Sequence, residues 1–307
     1  MPHDHHHGHH HHHHHADLDG DRRVAWAVAV NLVLTLAQIV AGVISGSLAL
    51  IADAIHNMSD ALSLVIALAA RRIGRRPADA SMTFGYGRAE VVAALINYVT
   101  LVTIALYLAA EGIRRLVNPV EVEGWIVVIV AAIALVVDTV TALLVFRMSK
   151  DSVNMRAAFL HNLADAMGSV AVIVAGTLIL LYDWRLIDPI VTLMIAAYIL
   201  WHSAQGLHPV IRILMLGAPD GIDLSDLIAA MEATPGVANA HHVHLWHMQE
   251  QEAALEAHIA LARGASPETV KSDLKSLLQV RFGIAHSVLE LETASETCTA
   301  SQVIGHR

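Results

Sequence analysis

Two stretches of the chain repeat one short pattern: His56, Asn57, Met58, Ser59, Asp60 and His161, Asn162, Leu163, Ala164, Asp165. A spacing of four puts the His and the Asp on one face of a helix, one turn apart. Two such faces turned toward each other offer two imidazole nitrogens and two carboxylate oxygens, a tetrahedral donor set suited to zinc. Cobalt, nickel, iron(II) and manganese accept the same ligand types, whereas monovalent copper favours thiolates, and neither stretch has one. His56, Asp60, His161 and Asp165 are therefore the candidate metal ligands.

The elements that must carry them are membrane spans. Of 307 residues, 55% are hydrophobic and only 15% are Asp, Glu, Lys or Arg, and the mean hydropathy is +0.54; soluble domains are rarely so apolar. A bilayer core takes about 20 apolar residues per helix. Six runs can be marked: two between Val24 and Ala70, divided at Ser45, Gly46 and Ser47, then Ala89 to Glu111, Trp125 to Phe146, Val153 to Leu181 and Leu186 to Ser203. Met58 stands thirteen residues before Arg71, and Leu163 thirteen residues after Lys150. At 1.5 Å per residue both pairs then lie about 20 Å from the same boundary. The two helices run antiparallel, which levels His56 with Asp165 and Asp60 with His161. An ionised side chain at mid-bilayer costs roughly 2.5 to 3.5 kcal/mol on insertion scales, so four of them without Lys or Arg partners need a cation or protons. The alternative is a structural polar network between the helices, and for Asp53 or Asp138 taken singly that is the better reading.

Positive charge orients the spans. Arg22, Arg23, Arg71, Arg72, Arg75, Arg76, Arg147, Lys150 and Arg212 fall on one side, and Arg114, Arg115 and Arg185 on the other. Nine against three predicts that both termini are cytoplasmic. The first run has no small-residue cleavage site and reads as an uncleaved span. A single cysteine, Cys298, excludes an intramolecular disulfide framework. A net charge of −9, without a basic stripe outside the loops, argues against nucleic acid as a partner.

The predicted organisation is a His-rich disordered tract over residues 1–20, a six-helix transmembrane domain over 21–205, a cytoplasmic α+β domain over 206–295 and a tail over 296–307. In the third zone a helix from Asp223 to Ala233, strands from Val237 to Met248 and Ala254 to Leu261, a helix opened by Ser266 and Pro267, and a strand from Ala285 to Glu292 place helices on one face of a small sheet. Eleven of the 22 histidines lie within residues 3–15, either as a flexible metal-capturing tract or as a tag.

The paired HxxxD motifs in the second and fifth spans resemble the cation diffusion facilitator family, particularly its zinc-exporting branch. So do the loop Phe84, Gly85, Tyr86, Gly87, Arg88, Ala89, Glu90, the segment Asn154, Met155, Arg156, Ala157, Ala158, the pair Asp188 and Pro189, and His244, Leu245, Trp246. The resemblance implies a homodimer in a bacterial plasma (inner) membrane that exchanges zinc for protons, with a ferredoxin-like cytoplasmic domain. It also matches His241, His258 and His286 to ligands of a regulatory zinc site, although Val288 stands where some relatives carry a carboxylate; a solvated strand face is the alternative there. Tyr86 occupies the place of a His that binds metal in some relatives, so no site is expected in that loop. Asp138 could line a hydrated path, shuttle protons or be a hydrogen-bonded structural group.

Proton exchange also follows from coordination chemistry, because zinc needs neutral His and ionised Asp and so competes with protons for the same atoms. Alternating access around one fixed site would turn that competition into antiport. The sequence is read as a transporter and not an enzyme: zinc hydrolases keep an open coordination position and a base, and no HExxH occurs. A metal sensor that signals through the His tract is the other competing class.

Overall fold

In the computed structural model the described residues are 32–146, 153–250, 252–293 and 302–304. The chain divides into two compact units, one made of residues up to Leu62 with Thr103–Leu200, the other of Ser63–Val102 with residues from Trp201 onward.

Among the described residues six apolar helices precede the sheet. They are α1 (Leu32–Ser45), α2 (Leu48–Gly74), α3 (Ala89–Val117), α4 (Gly124–Phe146), α5 (Val153–Tyr182) and α6 (Ile187–Leu214). Five are long and apolar enough to cross a membrane, and α1 is shorter over the described residues. The break expected at Ser45 to Ser47 is present, with Gly46 at φ 73°. A Cβ there would come 2.6 Å from the Glu121 carbonyl oxygen, so both backbone and space require glycine. Helix α2 begins at this break without a charged residue of its own to cap it. Asp188 of α6 takes that role, accepting from Ser47 Oγ at 2.6 Å, Leu48 N at 2.9 Å and Ala49 N at 3.3 Å. The upper part of α2 is thus held from outside its own sequence neighbourhood. Close packing of α4 on α5 depends on small residues: a Cβ on Gly124 would lie 2.7 Å from the Gly176 carbonyl oxygen. Leu50, Val127, Ala131, Val172 and Ala175 are buried around that contact.

Helix α6 runs to Leu214, beyond the apolar span that ends near Ser203, and contains Pro209. The extension past Ser203 carries Gln205, His208 and Arg212 as its polar side chains and is otherwise apolar, with Val210 and Ile213 buried beside Val91. The elements beyond it are α7 (Leu224–Glu232), β1 (Val237–His247), β2 (Ala253–Leu261), α8 (Pro267–Phe282) and β3 (His286–Glu292), in the expected order. Asp223 caps α7 through Ser225 N and Asp226 N, and these N–H groups hold its carboxyl below the usual carboxylate range. Ser266 caps α8, and Gly283 closes it in the left-handed conformation. The sheet has order β1-β2-β3, with β1 antiparallel and β3 parallel to β2. One face packs Leu255, Ala257 and Ile259 against Leu227, Met231, Leu274 and Leu278. The other face carries His258 and the even-numbered residues of β3. Strand β1 bulges between His241 and His244, with His242 at φ 53°. There His242 N and Val243 N donate to the Gln302 and Val303 carbonyls, so a piece of the tail continues the sheet beside β1.

Candidate metal centres

Helix α2 presents His56 and Asp60 one turn apart, and α5 presents Asp165. His56 Nε2 lies 3.7 Å from Asp60 Oδ2 and 3.6 Å from Asp165 Oδ1. One ligand atom from each of the three lies within 4.8 Å of those from the other two. The level pairing of His56 with Asp165 that the depths required is present. His161 sits in α5 four residues before Asp165, but its side chain falls outside the described residues. The Asp165 side chain is 10% exposed and that of Asp60 is 31% exposed, so the cluster opens on the Asp60 side.

These separations have a plain chemical reading. Hydrogen-bonded N and O stand about 2.7–3.2 Å apart. Two atoms that share one tetrahedral zinc, each about 2.0–2.1 Å from it, stand about 3.3–3.4 Å apart. The His56 contacts are too long for the first and close to the second.

Three neighbours were not on the sequence-level ligand list. Asp53, one turn before His56, is buried and accepts from Gln38 Nε2 at 3.0 Å. Asp138 of α4 is buried and accepts from Ser169 Oγ at 3.2 Å. Tyr198 of α6 packs against His56, ring centroids 6.0 Å apart and planes at 88°. A lone Tyr in an apolar span carries no sequence signal for such a role.

A second cluster occupies the helix-free face of the sheet. His241 Nε2 lies 3.4 Å from Glu292 Oε2, and His258 bonds Glu292 Oε1 through Nδ1 at 2.7 Å while its Nε2 is 3.3 Å from Glu290. His241, His258 and Glu292 form the metal-capable group here, and His286 does not join it. The register explains why: Glu290 pairs with His258, while His286 pairs with Ala254, four residues away along β2, or about 13 Å at 3.3 Å per residue. His286 instead meets the ring of Phe84 at 6.3 Å. Glu292 could have been found by parity, since it shares a strand face with His286, Val288 and Glu290. In the loop before α3, the Tyr86 hydroxyl donates to Asp79 at 2.7 Å. Arg88 donates to the carbonyls of His247 and Met248 at 3.1 and 3.0 Å.

The cation efflux transmembrane domain matches residues 24–215, and the cytoplasmic domain of cation efflux proteins matches residues 219–294. The metal cation efflux system protein CzcD of Cupriavidus metallidurans is 33% identical over 275 residues, covering 89% of this chain and 87% of that protein. The cadmium, cobalt and zinc/H(+)-K(+) antiporter of Bacillus subtilis is 34% identical over 261 residues, 83% of this chain and 84% of its own length. The zinc transporter ZitB of Escherichia coli is 32% identical over 273 residues, with coverages of 88% and 87%.

Proposed function

We propose, from the premise that this chain belongs to the cation efflux (cation diffusion facilitator) family and is a multi-pass membrane protein that exports divalent metal cations, that its cargo is zinc, exchanged for protons at His56, Asp60, His161 and Asp165. The observation that carries the reading is the pair of 3.6 and 3.7 Å separations around His56 Nε2, which a shared zinc would occupy with little rearrangement. Zinc transport by ZitB and cation/proton exchange by the Bacillus antiporter, as their names state, support it from outside the chain.

In this mechanism zinc enters from the cytoplasm, where both termini and the domain over residues 206–295 lie, and displaces protons from the imidazoles and carboxylates. Once the site opens to the more acidic side, protonation of the same atoms releases the ion. The protein works as a homodimer in the bacterial inner membrane. His241, His258 and Glu292 are of the right donor types for a second, regulatory zinc in the cytoplasmic domain, where bound metal would tie β1, β2 and β3 together. The His-rich tract over residues 1–20 lies outside the described residues and is read as a metal-capturing arm.

Stopped-flow zinc flux in proteoliposomes tests the assignment. Asp60→Ala and Asp165→Ala are each expected to abolish flux, and an imposed pH gradient to change the wild-type rate. Normal transport by both variants overturns the site, and flux indifferent to the gradient overturns the antiport.

A further inference from the structure

We infer that Tyr198 sets the size of cation the transport site accepts, by backing the His56 imidazole. The inference rests on the reading of His56, Asp60 and Asp165 as cargo ligands, and adds a side chain from a third helix, α6, that supplies no ligand of its own.

The geometry is an edge-to-face pair. Centroids 6.0 Å apart and planes at 88° fall within the range in which aromatic rings are held by packing and quadrupole together. An imidazole at the end of two rotatable bonds can otherwise tilt and retreat. With the phenol ring at right angles beside it, His56 keeps Nε2 midway between Asp60 and Asp165, 3.7 and 3.6 Å from their oxygens.

Ion size enters through bond length. The present separations suit bonds of about 2.0–2.1 Å, those of zinc. A larger divalent ion of the same closed-shell type lengthens every bond, and the ligands must spread. Asp60 has space to move, since its side chain is partly exposed. The His56 imidazole must shift as the ligands spread, and the Tyr198 ring packed edge to face on it limits that shift. The ring thus penalises cadmium more than zinc without touching either ion, which is the role of a positioning residue.

Because Tyr198 is 39% exposed, shortening it leaves no sealed cavity and the fold should survive. The test is initial flux of zinc and of cadmium, as chlorides, into proteoliposomes containing the full chain, with competitive binding of the two ions as a second readout. Tyr198→Ala is expected to raise the cadmium-to-zinc ratio about threefold to tenfold, the range that an edge-to-face contact of ordinary strength converts to. Tyr198→Phe, which keeps the ring, is expected to hold the wild-type ratio. Tyr198→Leu, which is shorter than the ring and lacks its flat edge, is expected to raise the ratio less than Ala does and serves if Ala does not fold. The inference is overturned if Tyr198→Ala and Tyr198→Leu slow both ions in equal proportion or change nothing. It is overturned equally if Tyr198→Phe shifts the ratio as far as Ala does, since the hydroxyl would then be the cause. Asp60→Asn runs alongside: undiminished flux of both ions in that variant removes the underlying site assignment whatever the Tyr198 ratio.

Discussion

The two histidine-carboxylate clusters use the same chemistry at different spacings. Around His56 the nitrogen-to-oxygen distances are 3.6 and 3.7 Å. Around His258 the shortest is 2.7 Å, a hydrogen bond already made. Scaffold accounts for the difference. In α2 and α5 each carboxylate is held by a rigid helix whose position is fixed by packing remote from the site, including the Asp188 cap on α2 and the glycine contact between α4 and α5. On the sheet, His241 pairs with His258 across neighbouring strands, which brings side chains on one face to hydrogen-bonding distance of each other. In the first cluster the donor atoms stand near the separation of two ligands of one zinc ion. In the second, one donor pair has already closed to a hydrogen bond, which a metal ion would have to replace.

The sharpest way to break this comparison is to remove the His56 nitrogen, which among the described residues faces both carboxylates. His56→Ala is expected to weaken zinc binding by more than about a hundredfold, since even partners that only orient a ligand are worth 10–100-fold. Isothermal titration of the purified chain measures it, and an affinity close to wild type would mean that the held-open geometry is not a binding site. Glu292→Gln strikes the closed cluster. It removes charge from the one carboxylate that both His241 and His258 meet. Metal affinity of the cytoplasmic domain, read in an Asp165→Ala background so that the membrane site is silent, is expected to fall about tenfold. Saturating zinc flux of the single Glu292→Gln variant should stay unchanged if the two clusters serve the separate roles proposed for them, because they share no ligand atom.

Much of this was legible before any coordinates. Spacing of four and equal depth located His56, Asp60 and Asp165, because helical periodicity converts sequence distance directly into direction and height. Composition and turn residues located α4, α5, α7, α8 and the three strands to within a few residues for the same reason. The parts that sequence left dark depend on contacts between segments far apart in the chain. Asp188 caps a helix that starts 140 residues earlier. Tyr198 meets the His56 ring only because α6 passes α2 there. The bulge at His242 shifts the pairing of β1 and needs the Gln302 carbonyl to satisfy it, and no local pattern announces either.

The smallest expected effect concerns the residue for which strand alternation alone is least informative. Alternation assigns a face and says nothing of position along it, so His286 and Glu292 look equivalent from sequence although they are at opposite ends of β3. Register separates them: His286 lies opposite Ala254, and Glu292 opposite Ala260, two residues beyond His258. His286→Ala is therefore expected to leave cytoplasmic metal affinity where it is in the wild type, measured in the same Asp165→Ala background as Glu292→Gln. A loss matching that of Glu292→Gln would mean that metal draws β3 into a different register, and the closed cluster would then be a metal-free arrangement that binding dismantles. Retained affinity leaves His286 its contact with Phe84, in which case the variant should alter how the loop before α3 meets the sheet without altering what the sheet binds.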